Sequence, residues 1–202
     1  MKCEIFKIIS DKLLIIIIGL LLTGLYFSPF FADMILSNTV PYRFFLSDAV
    51  NLYASQFINS YYLFHNDIYQ GVDFFTGNGS SEYFLRPNIP VNYLPNKLIF
   101  SLNSTWDTDQ LLKIYIFVIA LHLFVGFICS SLLFYEFIRA NKTYAILFGV
   151  LVSFSANFMY GKGFSSFVII VNLIPVAMYF INRAVVDKGI FFSLWASLVV
   201  YL

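Results

Sequence analysis

The sequence predicts an all-α, polytopic integral membrane helical bundle with four spans, a truncated fifth and one long extracytoplasmic loop carrying an interfacial amphipathic helix. Three observations predict it. Of 202 residues, 60% are hydrophobic and 11% charged, against about 25% charged in an ordinary soluble domain. The apolar residues gather in uncharged runs as long as a bilayer is thick, and Lys and Arg gather beside the ends of those runs. Phe contributes 25 residues and Tyr 14, more apolar surface than a soluble fold of this size hides behind so few charges. Membrane lipid is therefore the expected solvent. The formal net charge of +1 gives no electrostatic handle on nucleic acid, and no such partner is expected. Cys3 lies in the N-terminal tail and Cys129 inside an apolar run, so they read as two isolated small hydrophobes with no disulfide between them.

Residues 1–12 form a cytoplasmic tail with Lys2, Lys7 and Lys12. Residues 13–32, 20 without a charge, extend about 30 Å as a helix, the thickness of the hydrocarbon core. Tyr26, Phe27, Phe30 and Phe31 close this first span. Such an aromatic belt marks a retained anchor, whereas a cleaved signal peptide ends in small residues. Residues 33–113 form the loop, and residues 114–202 carry the later spans: 114–135, 143–161 and 163–182. The last run, 189–202, has 14 residues where about 20 are needed to cross. It is expected to continue beyond Leu202.

Orientation follows from the cations near the span ends. With the N-terminus inside, Lys2, Lys7, Lys12, Arg139, Lys142, Arg183 and Lys188 are cytoplasmic. Arg43, Arg86, Lys97, Lys113 and Lys162 are outside, with Arg43, Arg86 and Lys97 spread through the loop and Lys113 at its end. The loop then faces outward.

Within the loop, residues 48–66 read as an amphipathic helix. Asp48, Asn51, Ser55, Asn59, Tyr62 and Asn66 share one face, with Val50, Tyr53, Phe57, Tyr61 and Phe64 opposite. An aromatic side with a polar stripe suits a helix lying in the membrane interface. Ser47 is its expected N-cap. A turn-rich stretch follows around Gly71, Gly77, Asn78 and Gly79, then Arg86-Pro87 and Pro90. Asp107, three residues ahead of Gln110, is expected to cap the next helix, with Thr105 beside it.

The residues able to do chemistry lie almost wholly in this loop. Asp48 starts the interfacial helix at the bilayer–water boundary, where a carboxylate can deprotonate a hydroxyl or hold a divalent cation. An Asp in a first helical turn also simply complements the macrodipole, and the spacing weighs the two readings evenly. Asp67, Asp73 and Glu82 are candidate second carboxylates, though singly a loop acid is more often solvated surface. Arg86, Lys97 and Arg43 are the outward cations able to meet a phosphate. Pro87 holds Arg86 extended, and its planar fork can grip two oxygens. Lys97 and Lys162 read equally well as anchors to headgroups. Tyr69, Phe74, Phe75 and Tyr83 could stack on sugar faces or merely pack. His122, near the middle of the second span, is a functional candidate by its depth, but a neutral imidazole bonded to a neighbouring helix is the commoner outcome. Asn157, Asn172 and Pro175 fit helix–helix hydrogen bonds and a kink. No P-loop, zinc spacing, GxSxG or strand-linked GxGxxG is present.

Four stretches in order resemble the N-terminal part of GT-C-type polytopic glycosyltransferases, especially the YfhO-type bacterial membrane proteins. They are SDAVNLYASQF with Asp48, QGVDFFTGNGSSEYF, RPNIPVNYLP, and the pair FSANFMYGKGF and LIPVAMYFINR. The resemblance covers about residues 47–183. It implies a bacterial cytoplasmic-membrane enzyme with its N-terminus inside, moving sugar from a polyprenyl-phosphate donor to a cell-envelope acceptor on the outer face. Asp48 then matches the family's catalytic loop acid, and Arg86 and Lys97 become donor-phosphate contacts. Asn51, Asp73 and Tyr83 become substrate contacts. Adjacent acids are frequent in that loop, whereas here Ala49 follows Asp48, so whether a divalent cofactor is used stays open. The rival expectations are a transporter or flippase for a lipid-linked or anionic substrate, and a non-catalytic scaffold.

Overall fold

A computed structural model describes residues 2–40, 94–139, 141–155 and 165–187, positions 54, 57, 58, 60–62, 64 and 65, and the short pieces 72–73 and 80–81. The described chain is helical apart from one two-residue antiparallel ladder. Its helices are α1 (Lys2–Leu36), α2 (Leu94–Phe100), α3 (Thr108–Phe137), α4 (Lys142–Val150) and α5 (Ser165–Asp187). The ladder pairs β1 (Val72–Asp73) with β2 (Ser80–Ser81) and brackets the Gly77-Asn78-Gly79 turn signal. The expected run at 189–202 lies outside the described residues.

Two helices, Ile9–Leu36 and Thr108–Phe137, are long and apolar enough to cross a membrane. Both outrun the uncharged segments that announce them, because a charged residue ends an uncharged run without ending a helix. α1 leaves a broad apolar stripe uncovered: Leu20, Leu21 and Leu25 are 62%, 58% and 70% exposed. In water that stripe would be costly, and against acyl chains it costs nothing.

Pro29 sits inside α1 and has no N–H to offer the Leu25 carbonyl one turn back. Ser28 Oγ donates to that carbonyl at 2.8 Å, so the orphaned acceptor is satisfied within the helix, as an apolar surrounding requires. α3 begins at a full capping box. The Asp107 side chain accepts from the Gln110 N–H at 2.8 Å, and the Gln110 side chain accepts from the Asp107 N–H at 3.1 Å, as the sequence spacing predicts.

α1 and α3 run antiparallel, since Phe31 stacks on Phe117 at 5.0 Å while Tyr135 reaches Asp11 at 3.1 Å. Between these levels Phe127 is fully buried in a slot made by two glycines. A Cβ on Gly19 of α1 would come within 2.6 Å of its ring, and one on Gly149 of α4 within 3.0 Å of the ring and 2.0 Å of Ser131 Oγ. Small residues here let three backbones close on one ring, the usual device where lipid supplies no hydrophobic drive between helices. Phe134 stacks on Phe148 at 4.5 Å, about two turns further along α3.

The third apolar run does not form a uniform α-helix over its described part. Regular α4 ends at Val150 and passes into a π-helical turn, Leu151–Ser155, with Ser153 buried. Residues 156–164 lie outside the described set.

The described positions of the 48–66 segment are helical. Its aromatic face is covered by protein: Phe57 and Tyr61 are each 1% exposed, against Phe100 and, for Phe57, Tyr115. The face expected to meet the membrane interface thus joins the core at the loop end of the bundle, with Phe27 and Met34 of α1. Tyr62, expected on the polar face, also packs against this core, and the remaining polar-face positions lie outside the described residues. The partner that Phe57 and Tyr61 meet is set by the return of the chain through α2. Tyr61 fixes that return. Its hydroxyl donates to the Asn103 carbonyl at 3.0 Å and accepts from the Trp106 N–H at 2.9 Å. Tyr61→Phe is expected to cost about 2 kcal/mol by stranding both backbone groups, measured as a lower melting temperature in detergent with faster exchange at the Trp106 amide.

Candidate functional site

Of the residues that the sequence puts forward, Asp48, Asn51, Tyr83 and Arg86 lie outside the described residues. Asp73 is described only through its backbone, opposite Ser80 in the ladder. Lys97 sits half-buried in the last turn of α2, where its carbonyl accepts from the Ser101 N–H at 3.0 Å. The described residues therefore include only Lys97 and the Asp73 backbone of the expected loop site. Among the described residues no group of three His, Cys, Asp or Glu side chains is placed to hold a metal ion. His122, half-buried, directs Nδ1 to the Val118 carbonyl of its own helix at 2.7 Å. Cys129 is a buried free thiol.

The densest polar constellation lies at the other end of the helices. α1 presents Asp11 and Lys12, α3 presents Tyr135 and Glu136 with Arg139 just beyond, α4 presents Lys142, and α5 presents Asn182 and Arg183. Lys142 Nζ meets Asp11 Oδ1 at 2.8 Å, and the Tyr135 hydroxyl donates to Asp11 Oδ2 at 3.1 Å. Lys12 pairs with Glu136 Oε1, and Arg183 Nη1 stands 3.4 Å from Glu136 Oε2. Both Glu136 oxygens are buried and answered by ion pairs rather than by well-directed hydrogen bonds. The groups that the charge bias assigns to one side, Lys12, Arg139, Lys142 and Arg183, thus share one end of the described helices. Lys113, assigned to the other side, donates to Asn38 at the far end, at 2.8 and 3.0 Å.

These pairs frame a cavity of about 420 Å³ lined by Lys12, Tyr135, Glu136, Arg139, Asn182 and Arg183, with Val186 at its wall. Arg139 follows the C-cap of α3 with φ of 52°, a left-handed conformation that costs a non-glycine residue about 1 kcal/mol. Among the described residues its guanidinium has no ion-pair partner. A cavity of this size with converging cations and a wall of mixed polarity can hold a small anionic group.

In the sequence these cations stand out only as topological labels, and Asp11 and Glu136 do not stand out at all. The available signal is that each of these acids lies next to a span end, beside or near a cation. A carboxylate at that depth needs a partner, and the partners lie on other helices. No family model, curated protein or solved structure matches the chain.

Proposed function

We propose that this is a multi-pass membrane glycosyltransferase that moves a sugar from a polyprenyl-phosphate donor to a cell-envelope acceptor on the outer face. The supporting observation is the segregation of charge. Lys12, Arg139, Lys142 and Arg183 collect at one end of the helices, and the segment 33–113 leaves from the other, where Lys113 holds Asn38. Under the positive-inside bias, the loop with Asp48 then meets substrate outside.

A lipid-phosphate sugar has its head at the interface and its tail in the bilayer. In the proposed step the acceptor oxygen attacks the anomeric carbon as the bond from that carbon to the phosphate oxygen breaks, with inversion. Asp48 takes the acceptor proton, and Arg86 with Lys97 stabilises the departing lipid phosphate. Asn51, Asp73 and Tyr83 hold the sugars. Asp48→Asn is expected to abolish glycan transfer in membranes at unchanged protein level. A single cysteine at position 48, in a background without Cys3 and Cys129, should react with an impermeant thiol reagent added outside. Full activity of the Asn variant would remove Asp48 from the mechanism, and labelling only from the cytosolic side would end the proposal.

A transporter or flippase reading is favoured by one specific observation, the π-helical turn at Leu151–Ser155 in a run expected to cross the bilayer. Interrupted spans are where transporters build substrate sites. Movement of a lipid-linked sugar across reconstituted vesicles without bond formation would select that reading over the first.

A further inference from the structure

The cavity at the Lys12 end serves no step of the proposed transfer, which belongs to the opposite end of the helices. Its floor is neutralised internally, because Glu136 answers both Lys12 and Arg183, and Asp11 answers Lys142. Among the described side chains the end carries four cations against two carboxylates, and Arg139 is the cation without a carboxylate partner there. It is held in a left-handed backbone conformation at the cavity wall, so the helix end fixes where its side chain starts. Asn182 and the Tyr135 hydroxyl add polar groups beside it.

The level of the cavity and its surroundings limit what fits. Lys12, Glu136, Lys142 and Arg183 stand where the apolar stretches of four helices meet their polar ends, which is headgroup depth for helices that cross a bilayer. Phe137, Ile138 and Val185 close by are 68%, 57% and 70% exposed. A soluble phosphate needs no such apolar border, whereas an amphiphile uses both parts.

We infer that this cavity binds the phosphate of an anionic phospholipid headgroup, gripped by Arg139 with Lys12 and Arg183, while the acyl chains lie along the exposed Phe137 and Val185. Basic pockets between membrane helices bind anionic headgroups in this way, and the guanidinium fork suits two phosphate oxygens. The inference requires only that the helices cross a bilayer, and it stands or falls apart from the transferase reading.

The test uses the full chain in phosphatidylcholine nanodiscs doped with phosphatidylglycerol, reading the lipid retained on the protein by native mass spectrometry. Wild type should retain phosphatidylglycerol in preference to phosphatidylcholine. Arg139→Asn removes the cation yet keeps a residue that adopts the left-handed backbone, so the fold is preserved, as circular dichroism would verify. It should weaken retention about fivefold, the effect of one cation at a membrane surface, while Arg139→Lys keeps most of it. Unchanged retention in the Asn variant would overturn the inference, as would equal loss in the Asn and Lys variants. Inorganic phosphate displacing the lipid at low concentration would overturn it too, by assigning the cavity to a soluble ligand.

Discussion

Truncating Phe127 to alanine is expected to lower the unfolding free energy by about 2–3 kcal/mol. A buried Phe→Ala change in a soluble core costs about 3–5 kcal/mol, the sum of a transfer part and a cavity part. Among lipid chains the transfer part nearly vanishes, because the unpacked ring still meets hydrocarbon. The cavity part remains, since Gly19 and Gly149 present backbone to the ring on either side and helix backbones cannot collapse into the gap. Phe127→Leu should recover about half of the loss. Steric-trap or denaturant unfolding in micelles would measure both. A cost for alanine below about 0.5 kcal/mol would mean that α1 and α4 do not close on this ring.

The second large effect concerns the Asp11–Lys142 pair, and its sign lies in an asymmetry. Asp11 is 8% exposed at its side chain and Lys142 43%. Removing the carboxylate with Asp11→Asn leaves an ammonium that water can solvate, so the cost should be about 1 kcal/mol. Removing the ammonium with Lys142→Met takes the cation from a buried carboxylate to which the Tyr135 hydroxyl still donates, and the cost should reach about 2–4 kcal/mol. Thermal unfolding of the two variants under one detergent gives the comparison. The reverse order would mean that Asp11 is solvated and that this end of the bundle is open.

The two long apolar helices are legible in the sequence because an uncharged run of bilayer length has few other solutions. Uncharged length announces α1 and α3, and the Asp107–Gln110 spacing announces the cap. The charge bias correctly groups Lys12, Arg139, Lys142 and Arg183, a property that any helix pairing must respect. The ends of the helices are less legible, because a charged residue ends an uncharged run without ending a helix: α1 passes Asp33 and extends to Leu36, and α3 starts at Thr108, ahead of Lys113. The π-helical turn after Val150 has no composition cue, since Leu151, Val152 and Phe154 suit either geometry. The carboxylate pairings are not legible at all from one chain, because Asp11 finds its partners on α3 and α4, and period and spacing carry no information on partners so far along the chain. The loop site stays a reading of order and residue type, with Asp48 at its centre.

The hydrogen bonds between Lys113 and Asn38 have a consequence for how this protein can vary. They staple the two feet of the long excursion together, so the helices already hold its ends close whatever lies between them. Lengthening the excursion away from Phe57, Tyr61 and α2, which pack into the core, then costs an entropy that grows only with the logarithm of its length. A scaffold of this kind tolerates insertions between those packed pieces, and length differences among such chains should concentrate there while the stapled base is kept.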